Sequence, residues 1–146
     1  MSDAILVACP HCNALNRVPP ARLADAPTCG RCKKALFGGH PVALDAAGWH
    51  AHAERAALPL LVDFWAPWCG PCRVMAPQFE AAAAQLEPHM RLAKVDTEAQ
   101  PDLGARFGIR SIPTLALFRQ GRELARQAGA MGTSDIVRWA QQHMPT

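Results

Sequence analysis

From residue 41 onward the apolar positions change period repeatedly, alternating between unbroken runs that suit a buried strand and spacings that suit one face of a helix. Pro41 to Leu44 predicts a short strand, and Asp45 is placed to cap a helix running to about Ala57. Leu60 to Trp65 is almost wholly apolar, the mark of a central strand covered on both faces. A long helix is predicted from about Cys69 to Glu87, because Met75, Phe79, Ala83 and Leu86 fall on one face. Pro77 lies inside that helix and should kink it. Arg91 to Val95 predicts another strand, and Asp102 to Phe107 a short helix. Thr114 to Phe118 and Arg122 to Gln127 flank Gln120 and Gly121, a hairpin signal. The last helix, from about Ser134 to Met144, would turn Val137, Ala140 and Met144 inward. A βαβ unit followed by a β-hairpin and a closing helix is an α/β sandwich with a mixed central sheet flanked by helices.

The N-terminal quarter reads differently. Residues 1–36 hold few large apolar side chains, namely Ile5, Leu6, Val7, Leu15, Val18, Leu23 and Leu36. A segment shorter than ~40 residues rarely sustains a core without a disulfide or a metal. Residues 37–41, with Gly38, Gly39 and Pro41, read as a linker or hinge. The expected organisation is therefore a stapled segment at 1–36, a linker at 37–41 and an α/β domain at 42–146.

Composition narrows the function. Half the residues are hydrophobic and 18% are charged, so the chain can bury a core and is not of the disordered type. Its formal charge of +3 falls to about +1 if four thiolates bind a divalent ion, poor bait for nucleic acid. Residues 1–36 also contain no Phe, Tyr or Trp on which bases would stack. The opening MSDAILVAC has no basic n-region and no signal-length apolar core, and no run approaches the ~20 residues of a membrane span. These features predict a cytoplasmic protein that binds neither membrane nor nucleic acid.

All six cysteines fall in three C-x-x-C pairs. Cys9 and Cys12 are followed, after sixteen residues, by Cys29 and Cys32, the spacing of a zinc ribbon. Two residues between ligands let a tight turn aim both sulfurs at one ion, and two such turns close a four-cysteine, structural site. The expectation is one structural zinc ion. Disulfides or a second redox relay are the alternatives for these four, and a reducing compartment favours zinc. His11 is expected to be an exposed turn residue, while His50 and His52 point to different faces of their helix.

Cys69 and Cys72 stand apart, where a strand hands over to a helix. That junction places Cys69 at the helix N-terminus, among unsatisfied N–H groups that stabilise a thiolate. Cys69 is the expected nucleophile and Cys72, one turn further in, the resolving thiol. Pro71 at an early helical position costs no hydrogen bond. By itself one C-x-x-C is equally compatible with half of another metal site.

Residues 60 to 72, LLVDFWAPWCGPC, resemble the thioredoxin family, as do Lys94 in KVD, the run FGIRSIPTLALF and the AGA at Ala128 to Ala130. With the two N-terminal pairs, the chain is similar to the zinc-binding bacterial thioredoxins of the thioredoxin 2 type. The resemblance implies the thioredoxin fold, with a small N-terminal zinc-ribbon segment, and reduction of disulfides in client proteins. It implies a buried Asp63 accepting the Cys72 proton as general base, tuned by Lys94. It also implies a cis-Pro113 facing the dithiol, and a client groove lined by Trp68, Ile112 and Gly129, with Trp65 in the core. The electron donor it implies is an NADPH-dependent flavin thioredoxin reductase. The flavin and nicotinamide belong to that partner, since this chain has no G-x-G-x-x-G. A different class of function stays open from the residues: a zinc-based redox sensor or partner-binding module that releases its ion on oxidation. An isomerase or oxidase fits less well, because Gly70 and Pro71 resemble the reducing members.

Overall fold

A computed structural model describes residues 3–145. Positions 1, 2 and 146, at the outer ends of the two expected units, lie outside the described residues. In chain order the elements are β1 (Ile5–Ala8), β2 (Leu15–Val18), β3 (Val42–Ala43), α1 (Ala46–Trp49), β4 (Leu60–Trp65), α2 (Gly70–Leu86), β5 (Arg91–Asp96), α3 (Pro101–Arg106), β6 (Thr114–Arg119), β7 (Arg122–Ala128) and α4 (Thr133–His143). β1 and β2 form an antiparallel pair, while the other five strands make one sheet in the order β3-β5-β4-β6-β7. β3 and β4 run parallel to β5, and β6 and β7 are antiparallel, the mixed sheet that the patterning predicts.

Strand alternation sorts the core into two layers. Leu60, Val62 and Phe64 of β4 join Ala93, Val95, Ala116 and Phe118 against Trp49 and Leu103, on the α1 and α3 side. Leu61 joins Leu92, Leu115 and Leu117 against Met75, Phe79, Leu86, Ile136 and Ala140, on the α2 and α4 side. Asp63 shares the parity of Leu61, so its carboxyl points beneath α2. α2 runs through Pro77 without interruption. In α4 the buried pair is Ile136 and Ala140, with Val137 and Met144 only packed around it, a rotation of the expected face.

The helix capped by Asp45 departs from expectation. Asp45 Oδ1 does accept the Gly48 amide at 2.8 Å. After Trp49, however, the chain widens into a π-helical stretch over His50–Arg55, closed by the Ala56 amide on Ala51 O at 2.9 Å. Three consecutive residues, Ala51, His52 and Ala53, are buried there. Ala53 packs on the sheet and Ala51 on the N-terminal hairpin, so this stretch is covered on two sides.

The hairpin is fastened to the sheet domain. Its small core of Val7, Val18, Leu23 and Leu36 closes over Leu58, just before β4, and the Ala57 amide donates to Leu6 O at 2.8 Å. The 37–41 stretch is pinned rather than loose. The Gly39 amide donates to Glu87 Oε1 at 2.8 Å, and His40 pairs with Glu80.

Candidate active site and metal centre

The dithiol stands where β4 ends and α2 begins. Cys69 is the N-cap of α2, with an extended backbone, and its Sγ accepts the Cys72 amide at 3.2 Å. Cys69 and Cys72 are disulfide-bonded, with Cα atoms 5.2 Å apart. Cys69 is 5% exposed and Cys72 only 1%, so the first sulfur is the outer one. Beside them Trp68 is 66% exposed, a large apolar side chain left in solvent at the mouth of the site. Across from the pair, Cys69 Sγ lies 3.7 Å from Ile112 O, and the Ile112–Pro113 peptide bond is cis. The Gly129 amide donates to Pro113 O at 2.9 Å, and Gly129 holds φ +103°, a conformation that only glycine adopts freely. Ile112 thus faces the dithiol, with Gly129 hydrogen-bonded to Pro113 behind it and Trp68 next to Cys69 in the chain.

Asp63 is fully buried and neither carboxylate oxygen has a hydrogen-bond partner among the described residues. Burial pushes its pKa up from 3.8 to about 7, while the Lys94 charge pulls the other way. Lys94 is the cross-strand neighbour of Asp63 in the β4–β5 ladder. Its ammonium sits 4.4 Å from the centroid of the Trp65 ring, a cation–π contact. That contact corrects the expectation for Trp65: the ring is half-buried, roofing Lys94 on one side and packing against the dithiol on the other.

The two N-terminal cysteine pairs form matched turns. The Cys9 amide bonds Ala14 O and the Asn13 amide bonds Cys9 O, while Cys29 bonds Lys34 O and Lys33 bonds Cys29 O. Asn13 and Lys33, each just after the second cysteine of its pair, hold φ of 66° and 68°. The four sulfurs converge: Cys9 to Cys32 is 3.5 Å, Cys12 to Cys29 is 3.7 Å, and all four lie within 4.8 Å of one another. Four thiolates held ~2.3 Å from a tetrahedral ion stand ~3.8 Å apart, so the arrangement fits zinc. Amides of His11 and Arg31 point at Cys9 and Cys29 at 3.3 and 3.4 Å, and Asn16 Nδ2 reaches Cys29 at 3.5 Å, donors suited to thiolate rather than thiol.

Sequence reasoning missed the residues that join the two units. Arg91 opens β5 yet is buried, its Nη1 2.9 Å from Glu87 Oε2 and its Nη2 donating to Ala8 O at 2.9 Å and Leu36 O at 2.8 Å. Its guanidinium also lies 4.8 Å from the Phe37 ring centroid. The sequence signal was present, since an Arg at the head of an apolar strand with a Glu four residues earlier is an expensive arrangement unless paired. His52 is buried as well, its Nε2 unpartnered among the described residues; burial, with Arg91 nearby, lowers its pKa to about 4 and keeps it neutral. Among the described residues no helix is long and apolar enough to cross a membrane.

Comparison with known proteins accounts for both units. The family described as Thioredoxin matches residues 40–142, and the zinc-ribbon family described as Thioredoxin 2, N-terminal, matches residues 8–34. Thioredoxin C-3 of Corynebacterium nephridii is 43% identical over 140 residues, covering 96% of each chain. Thioredoxin of Haemophilus influenzae is 38% identical over 98 residues, 67% of this chain and 92% of the relative. Thioredoxin of Porphyra purpurea is 46% identical over 79 residues, 54% of this chain and 74% of the relative. A dithiol at a helix N-terminus, on this sheet and with these relatives, means that the chain belongs to the thioredoxin family, as a thiol-disulfide oxidoreductase carrying an N-terminal zinc ribbon.

Proposed function

We propose that the chain is a protein-disulfide reductase in which Cys69 attacks and Cys72 resolves. The observation that carries this is the asymmetry of the pair: Cys69 is the outer sulfur, at the helix N-terminus and accepting an amide, while Cys72 lies deeper. The Cys69 thiolate attacks one sulfur of a client disulfide. That S–S bond breaks, a client thiolate leaves, and a mixed disulfide joins Cys69 to the client. Cys72 then gives its proton, through a water, to Asp63 as general base, and the new thiolate attacks Cys69 Sγ. The second client thiolate departs, leaving Cys69 and Cys72 oxidised. Lys94, neighbouring Asp63, keeps the carboxylate accessible by offsetting part of its burial.

The client lies across Trp68, Ile112, cis-Pro113 and Gly129, where the Ile112 carbonyl is 3.7 Å from the attacking sulfur. Two electrons return from an NADPH-dependent flavin thioredoxin reductase, which holds the flavin. One zinc ion, on Cys9, Cys12, Cys29 and Cys32, has a structural role, since four thiolates leave no open position for substrate. The compartment that suits four metal-binding thiols and a reducing dithiol is the cytoplasm. Insulin turbidity with dithiothreitol tests the order of the thiols. Cys69→Ser abolishes turnover, and Cys72→Ser traps covalent client complexes; activity in Cys69→Ser would end this reading.

A further inference from the structure

β3 is an edge strand, with β5 on one side and no strand on the other among the described residues. The Leu44 amide donates to Lys94 O at 2.9 Å, and Ala43 is the ladder partner of Lys94. In a parallel ladder that register turns the N–H and C=O of Ala43 away from β5. Ala43 is exposed and carries only a methyl group, so its side chain does not cover that edge.

The space beside Ala43 is shared with the first cysteine turn, at Pro10 and His11. Two cavities of about 450 and 270 Å³ lie along residues 41–44, and Pro10, His11, Val42 and Ala43 line both, so they are two lengths of one groove. The wider length ends at Lys94 and Trp65, and Trp65 packs against Cys69 and Cys72. The groove therefore runs from the sheet edge to the tryptophan that backs the dithiol. It exists only because the ribbon is held in place, by Arg91 on Ala8 O and Leu36 O and by Ala57 on Leu6 O.

We propose that this groove binds an extended stretch of the client polypeptide whose disulfide is being reduced, the client adding to β3 through the N–H and C=O of Ala43. The inference rests on the reductase reading above and extends its binding surface to the far side of the dithiol from Ile112. An extended chain is the occupant that a free strand edge recognises, because main-chain hydrogen bonds provide the binding. The wider length carries both signs of charge, Lys94 with Asp45 and Asp96, so it selects no particular client charge. Backbone recognition of this kind suits a reductase that handles disulfides in varied sequences. The ribbon is then one wall of a binding site, in addition to a folded appendage.

The test uses the full-length Cys72→Ser protein and a peptide of about 20 residues whose central cysteine is activated as its thionitrobenzoate disulfide. Ten residues on each side span about 33 Å when extended, enough to reach from Cys69 along the groove. The Cys69 thiolate displaces thionitrobenzoate and forms the peptide disulfide, and a second sample carries 2-mercaptoethanol on Cys69 instead. Amide exchange by NMR is compared between the two adducts. The expected result is exchange of the Ala43 amide slowed at least tenfold in the peptide adduct only. Equal Ala43 exchange in both adducts, with protection confined to residues 112–114, would overturn the proposal. Absence of thionitrobenzoate release from either reagent would instead overturn the reductase reading, and this proposal with it.

Discussion

At the scale of single residues, Asp63 is the clearest case of a buried group that costs the fold stability. A carboxyl on the inner face of a central strand, with neither oxygen hydrogen-bonded, is costly once ionised. Its pKa rises from 3.8 to about 7 through burial, so the folded state favours the protonated form. The sign follows: the native state is penalised progressively as pH climbs from about 4 to 7, where the unfolded carboxyl has ionised and the buried one has not, and the penalty is constant above 7. Asp63→Asn removes it. The variant should gain up to about 4 kcal/mol at pH 9, at about 1.4 kcal/mol per tenfold change in proton affinity, and close to nothing at pH 3. Urea denaturation at the two pH values measures this, and an equal gain at both would show that Asp63 is not the titrating group. If Asp63 is the proposed general base, the wild-type resolving step should quicken as pH rises through about 7 and Asp63→Asn should not, readable as persistence of the mixed disulfide with insulin.

At the scale of elements, most boundaries were legible because strands and helices here have clean periods. Leu60–Trp65 read as a buried strand, and the dithiol after it marked the start of α2 to within a residue. The convergence of the four N-terminal cysteines was equally plain, because their spacing is local. What patterning could not supply was anything depending on a second unit packed alongside. The π-helical stretch is covered on one side by the sheet and on the other by the hairpin. The Arg91–Glu87 pair, joining β5 to the turn after α2, belongs to the same class: its purpose lies in carbonyls of the N-terminal segment, more than fifty residues distant in sequence. Arg91→Met should cost about 3–5 kcal/mol, since it leaves Glu87 buried and unpaired and two carbonyls without a donor. The double variant Arg91→Met with Glu87→Gln should cost less than the single one, because no charge is stranded. Denaturant unfolding of the four members of that cycle separates the terms, and additive costs would mean that the pair is not coupled.

At the scale of the whole molecule, the question is whether the two units stand or fall together. The sheet domain has two extensive apolar layers of its own, whereas the hairpin has Val7, Val18, Leu23 and Leu36 leaning on Leu58. With so small a core to offset its own chain entropy, the N-terminal segment is expected to depend on the proposed zinc ion, whose binding is worth ~10–16 kcal/mol at such sites. It is also attached by the two Arg91 hydrogen bonds and the Ala57 amide, each contributing about 1–3 kcal/mol, and by Ala8 and Leu15 packing on Ala51 and Ala56. Those cannot replace the metal. Stripping zinc with a chelator under reducing conditions should therefore melt β1 and β2 while β4, β5 and β6 keep their protection. Hydrogen exchange followed by mass spectrometry reads this directly, with residues 3–36 exchanging at least a hundredfold faster and the central strands unchanged. Arg91 and Leu58 would then lose their partners in the ribbon, so the metal-free protein should also unfold at lower denaturant than the loaded one. Protection of β1 and β2 that survives complete zinc loss would show that packing on the sheet, rather than the ion, orders the ribbon.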